Sequence, residues 1–170
     1  MHQYHNSQTY NSHINFDMLI SELSLLRELA SSSAVVVEGK RDAEALRSLG
    51  IDAEFYFISG SVSSVNQLAE SLSKLGKEVI VLTDFDKKGR ELASRLIREL
   101  QSCGVKVKIN TEVRKNLMRA FNGIKIGEIE DLASLFEKFN IGDQNGKNWN
   151  SSDKIRNKSK AYRNRSGRKA

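Results

Sequence analysis

The 170-residue chain contains no proline, one cysteine and one tryptophan. The missing proline is unusual, and no functional reading attaches to it. A single cysteine, Cys103, excludes an internal disulfide framework and a four-cysteine zinc site. Placed before Gly104 at an expected helix end, it reads as a small buried hydrophobe rather than a reactive thiol. Long apolar runs are also missing. Ala34–Val37 and Val79–Leu82 fall far short of the roughly 20 residues that span a bilayer. The N-terminus lacks the basic-then-apolar pattern of a secretory signal, so a cytoplasmic protein without membrane contact is expected. The Gly-x-x-x-x-Gly-Lys-Ser/Thr phosphate loop of an ATPase is absent as well.

What is present is an ordinary globular composition, 39% hydrophobic, with a charge of +6 that is unevenly distributed. From Asp143 to Ala170 there are nine Lys/Arg against two Asp, a net +7; the preceding 142 residues carry 18 basic and 19 acidic side chains, a net −1. A nearly neutral domain followed by a basic tail points to a polyanionic partner such as nucleic acid, the alternative being a solubilising tail. Trp149 and Tyr162 lie in that tail, where an aromatic ring could stack on an unpaired base, but two rings are too few to decide the matter.

Residues 1–15 are polar and aperiodic and are expected to be disordered; His2, His5 and His13 share that segment with nothing to hold them together. Helical spacing of Phe16, Leu19, Ile20, Leu23, Leu26 and Leu29 predicts an amphipathic helix within residues 16–32. Over residues 33–140 the pattern alternates. Strands are expected at Ala34–Val37, Glu54–Ile58, Glu78–Leu82 and Val105–Ile109. Helices are expected at Arg41–Leu49, Val62–Leu75, Lys88–Cys103, Glu112–Phe121 and Glu128–Phe139. Strands alternating with helices of this length imply crossover units, an α/β fold with a four-stranded parallel sheet and helices on both faces. Residues 141–170 read as a disordered basic tail.

In a parallel sheet, ligand sites lie beyond the carboxyl ends of the strands. The first strand runs into Glu38-Gly39-Lys40, the third into Thr83-Asp84-Phe85-Asp86-Lys87-Lys88-Gly89. In an extended segment Asp84 and Asp86 point the same way, and Glu38 faces them if the two strands are neighbours. Three carboxylates so close require a proton or a cation. Oxygen ligands suit Mg²⁺, held by one or two carboxylates with waters and substrate phosphate. Lys40, Arg41, Lys87, Lys88 and Arg90 would neutralise that phosphate. Gly39 and Gly89 are read as letting the backbone come close and turn into the following helix, and Ser59-Gly60-Ser61 as the turn after the second strand. For any one acid alone, a helix N-cap or a simple lysine pair is the plainer explanation; Glu at one strand end together with Asp-x-Asp-x-x-Gly at another is a much sharper pattern. Glu112, Arg114, Lys115 and Arg119 are either a solvated helix face or an extension of the phosphate track.

Val36-Val37-Glu38-Gly39-Lys40-Arg41-Asp42 and Thr83-Asp84-Phe85-Asp86-Lys87-Lys88-Gly89 resemble the two signature motifs of the Toprim domain. That domain is shared by topoisomerases, bacterial-type primases, OLD-type nucleases, recombination-repair proteins and the ribonuclease that matures 5S ribosomal RNA. The resemblance covers about Ser33 to Asn110. It is closest to small stand-alone archaeal Toprim proteins that resemble the Toprim half of that ribonuclease, and Gly127-Glu128-Ile129-Glu130-Asp131-Leu132 also looks like this subgroup. It implies Glu38 as general acid/base or metal ligand, Asp84 and Asp86 as Mg²⁺ ligands (Mn²⁺ being an acceptable substitute), and Gly89 as turn-shaping. Tyr4, Tyr10 and Tyr162 lie in the ends expected to be disordered, and Tyr56 reads as strand core, so no topoisomerase tyrosine is identified. The remaining expectation is a Mg²⁺-dependent nuclease acting on nucleic acid, RNA ahead of DNA and by analogy a ribosomal RNA precursor. The ribosome or an RNA-processing complex would then be its surroundings. The alternative is a binding module with weak or no chemistry of its own.

Overall fold

The computed structural model describes residues 14–58, 62–104 and 106–142. In chain order the elements are α1 (Phe16–Ala30), β1 (Ala34–Val37), α2 (Lys40–Ser48), β2 (Glu54–Phe57), α3 (Val62–Ser73), β3 (Val79–Val81), α4 (Lys87–Ser102), β4 (Ile109–Asn110), α5 (Glu112–Ala120) and α6 (Glu130–Gly142). The four strands form one parallel sheet in the order β2-β1-β3-β4. β1 and β3 are apolar, β-branched runs and are buried along their whole length, as central parallel strands covered on both faces must be.

The pleat sends alternate residues to opposite faces and so divides the core in two. Val35, Val37, Ile80 and Leu82 pack with α1, α2, α5 and α6 on one face. Ala34, Val36, Val79 and Val81 pack with α3 and α4 on the other. Arg27 ties α1 to the end of α2, its Nε donating to Gly50 O at 2.7 Å and its Nη2 to Leu49 O at 3.1 Å. Gly50 takes a left-handed turn there, φ +76°, which glycine adopts at little cost. No helix among the described residues is long and apolar enough to cross a membrane.

Several sequence expectations shift. The strand expected at Val105–Ile109 is reduced to Ile109–Asn110. Ile109 pairs with Val79, the first residue of β3, so the residues before Lys108 lie opposite the turn that follows α3 and have no strand to join. Ile14 and Asn15, placed with the polar terminus by composition, belong to the fold. Ile14 is buried, and the Asn15 side chain accepts from Met18 N at 3.0 Å as the N-cap of α1. Tyr56 is half-buried rather than core. Its hydroxyl donates to Glu54 Oε1 on the sheet edge, and that bond to a carboxylate pushes the phenol up to about 12. Cys103 is only partly buried and donates to Glu99 O at 3.2 Å. The Ser59-Gly60-Ser61 turn, Val105, the first thirteen residues and the basic tail lie outside the described residues.

Candidate metal centre at the strand ends

The chain leaves β1 for β2 on one side and then crosses back over β1 to reach β3 on the other. The sheet therefore switches direction between β1 and β3, and a crevice opens beyond their carboxyl ends. Glu38 follows β1 into it. Its side chain is only 13% exposed, with Oε2 3.5 Å from Lys88 Nζ. Its other oxygen, Oε1, is buried and has no hydrogen-bond partner among the described residues. Beside it, the backbone N–H of Gly39 donates to Asp42 Oδ2 at 2.8 Å, closing the first turn of α2.

The segment after β3 is held from three directions. Thr83 is fully buried and its Oγ1 donates to Gly89 O at 2.7 Å. Phe85 N donates to Gly127 O at 2.8 Å. From α5, Arg114 donates through Nε to Thr83 O at 3.0 Å and through Nη2 to Asp84 O, with its guanidinium 5.9 Å from the Phe85 ring centroid. The two aspartates of this segment take different roles. Asp86 Oδ1 accepts from Gly89 N at 2.7 Å, so this carboxylate is the N-cap of α4. Asp84 reaches the other way, its Oδ1 accepting from Ile129 N at 3.1 Å just before α6. The expected parallel pair is thus split. Among the described residues, no three His, Cys, Asp or Glu side chains gather closely enough to hold one metal ion.

The charges are nevertheless concentrated. The Asp84 carboxyl is pushed up to about 7, first by burial and then by the negative charges of Asp42, Glu38 and Glu128, against the Ile129 amide that favours its ionised form. Burial also raises Glu130, helped by a side-chain hydrogen bond with Glu128 and by the charge of Asp42, while Arg41 opposes the rise. Arg114 is lowered by burial and by Arg90, with Asp86, Glu38 and Asp84 acting against that. A guanidinium keeps its proton at neutral pH, so Arg114 is a fixed interior cation for the carboxylates. A divalent cation suits what remains: a buried Glu38 oxygen without a partner among the described residues and an Asp84 that ionises reluctantly. Mg²⁺ commonly takes only one or two carboxylates and completes its shell with water and phosphate. The donors are all oxygens, as that ion requires.

Lys40 and Arg41 open α2, and Lys88 and Arg90 lie in the first turn of α4; all four are exposed at the crevice edge of the sheet. Among the described residues only Lys88 of the four forms an ion pair, with Glu38. The two glycines beside the acids differ. A Cβ at Gly89 would collide with the Asp84 carbonyl group and lie 2.9 Å from its amide nitrogen, whereas a Cβ at Gly39 would meet nothing within 4 Å. Gly39 is extended, φ −152° and ψ −174°, a conformation open to any residue, so the close approach expected there is not used. Gly60 falls outside the described residues.

Arg114 is what the sequence reading missed. It is neither solvated nor on a phosphate track but 8% exposed beneath the site. The available signal was its spacing: Arg114, Leu117 and Phe121 lie on one helical stripe, and a cation on an apolar stripe needs an internal partner. Glu128 and Glu130 add their charge to the same crevice, a proximity that no local pattern signals. Replacing Arg114 by Met removes donors from two main-chain carbonyls and is expected to destabilise the fold by about 3 kcal/mol. Lys at this position keeps the charge but cannot fork onto both oxygens. It is expected to retain most of the stability while weakening Mg²⁺ binding about tenfold, read by denaturant melts with and without the ion.

Known proteins resemble this chain in family and in fold. The Toprim domain pattern matches residues 33–113. The UPF0292 protein of Methanocaldococcus jannaschii is 37% identical over 126 residues, which cover 74% of this chain and 92% of that one. The UPF0292 protein of Thermococcus onnurineus is 43% identical over 124 residues, covering 72% and 84%. A solved structure of a protein from Aquifex aeolicus superposes with a TM-score of 0.53 at 23% identity, covering 65% of this chain and 94% of that one, a likeness of fold.

Proposed function

The chain belongs to the UPF0292 family of Toprim-domain proteins, and from that premise we propose that it is a Mg²⁺-dependent nuclease that hydrolyses phosphodiester bonds in nucleic acid, structured RNA ahead of DNA. The observation that carries this reading is the buried Oε1 of Glu38, without a partner among the described residues, near Asp84 at the switch point of a parallel sheet. A buried carboxylate oxygen without a donor is costly unless something completes it.

Glu38 and Asp84 hold the ion in this reading. Asp86 keeps its Oδ1 on the Gly89 amide at the start of α4, so Oδ2 is the oxygen that would serve the ion. When bound, the cation activates water and neutralises charge on the phosphate. Glu38, once freed of Lys88, takes or returns a proton at its Oε2. Lys40, Arg41, Lys88 and Arg90 receive the phosphate backbone, which the acidic crevice would otherwise repel. Arg114 and the Ile129 amide fix Asp84 by its main chain and by its carboxylate. Mn²⁺ is expected to substitute, since it accepts the same oxygen donors. A ribosomal RNA precursor in the cytoplasm, inside an RNA-processing complex, is the setting in which the basic tail would add affinity.

The capping role of Asp86 favours a second reading, a nucleic-acid-binding module whose chemistry is weak or supplied by a partner. Labelled structured RNA and duplex DNA separate the two. With Mg²⁺, wild-type protein is expected to cleave RNA, and Asp84→Ala/Asp86→Ala to bind without cleaving. A double variant as active as wild type overturns the nuclease reading. Binding without cleavage by the wild type moves the choice to the module.

A further inference from the structure

We propose that Phe57 is a stacking platform for an unpaired base, so that the nucleotide beside the phosphate held at Glu38 and Asp84 must be single-stranded or extruded. The proposal rests on the nucleic-acid reading above and adds a substrate class to it.

Phe57 ends β2, an edge strand of the sheet, and pairs in register with Val37, the residue just before Glu38. Neighbouring strands lie roughly 4.8 Å apart, so its backbone is one strand spacing from the carboxylate segment. Paired residues of a parallel ladder face the same way, which puts Phe57 with Val37 and Phe55 on the α2 side. The two phenylalanines are treated differently there. Phe55 is partly buried against the core and covered by the Arg47 guanidinium, 4.8 Å from its ring centroid. Phe57 is 43% exposed and makes no ring or cation contact with the other described residues. Among those residues it is the only large exposed aromatic; the other exposed large apolar side chains are Leu25, Leu75 and Met118.

An uncovered ring on a sheet edge is a liability for solubility and pairing unless something covers it. Its surroundings specify the occupant. Lys40 and Arg41 stand exposed at the start of the helix that follows Glu38, and the register with Val37 sets Phe57 one strand from that segment, so a phosphate held by those cations has an uncovered ring on the neighbouring strand. Every base presents a π-face, and stacking needs the base out of its duplex. A regular duplex keeps its bases internal and offers Phe57 nothing.

The test compares Phe57→Ala, Phe57→Leu and Phe57→Tyr in the full chain against a short labelled single strand and its blunt duplex, with Mg²⁺ present. Phe57→Ala and Phe57→Leu are expected to weaken single-strand binding roughly five- to hundredfold, the range for losing one base–aromatic stack. Phe57→Tyr should restore it, and duplex binding should not move. Because the side chain is exposed, thermal melts of all three should stay near wild type. Unchanged single-strand affinity in Phe57→Ala, or an equal loss on the duplex, overturns the stacking proposal while the nuclease reading stands. Failure of the wild type to bind either strand form overturns both.

Discussion

Asp84→Asn is expected to melt a few degrees above the wild type at pH 8 while losing both cation binding and cleavage. The Asp84 carboxyl is pushed up to about 7 by burial and by Asp42, Glu38 and Glu128, whereas an unfolded aspartate ionises near 3.8. Between those values the folded chain holds a proton that the unfolded chain has released. Stability therefore falls as pH rises from 3.8 towards 7, and the penalty is complete above 7. For a fully buried group the shift would correspond to about 4 kcal/mol, but Asp84 is half-buried and solvent screens its neighbours, so ~1–2 kcal/mol is the expected gain. Asparagine preserves the shape and can still accept from Ile129 N. At pH 4 the two proteins should melt together. Adding Mg²⁺ should reverse the order at pH 8, because saturation at a hundredfold excess stabilises only the wild type, by about 2.7 kcal/mol. Equal melting at pH 8, or an ion-induced rise in the variant as large as the wild type's, would remove Asp84 from the metal site.

Gly89→Ala is expected to be among the most damaging single methyl additions in the chain. The new Cβ would collide with the Asp84 carbonyl, which already accepts from Arg114. That group belongs to main chain held between β3, α5 and α6, so it cannot rotate away like a side-chain tip. Relief would have to open the Asp86 cap and the Thr83 bond to Gly89 O together. Overpacking costs about 1–3 kcal/mol, and the lost cap about another 1. A denaturant midpoint corresponding to a loss of roughly 3 kcal/mol is the expected result. Gly39→Ala makes the control: with nothing within 4 Å and an extended backbone, it should leave stability nearly unchanged. If both variants unfold alike, the packing explanation for Gly89 is wrong.

The fold was legible in the sequence wherever the signal was local. Val35-Val36-Val37 and Val79-Ile80-Val81 are apolar and β-branched on both faces, which only a covered central strand tolerates. The regular spacing of Leu92, Leu96 and Leu100 made α4 plain, and all three are buried. β4 was overextended because Val105, Val107 and Ile109 alternate as a strand would, while the length of a ladder depends on how much partner strand lies opposite. Arg114 stayed ambiguous because its carbonyl partners are 30 and 31 residues away.

By itself, the sequence determined the alternation of strand and helix, hence a parallel sheet, and with it that Glu38 and Asp84 leave their strands at the same edge of the sheet. Those are consequences of period and of chain direction, which any short window carries. The tertiary structure alone decided the order β2-β1-β3-β4, the turning of Asp86 to α4 and of Asp84 to Ile129, the burial of Arg114 beneath them, and the difference between a required Gly89 and a free Gly39. Each depends on which groups, distant in the chain, come to share a few ångströms. Two carboxylates with the same local spacing can be sent to different donors by whichever unpaired N–H the packed helices bring within reach.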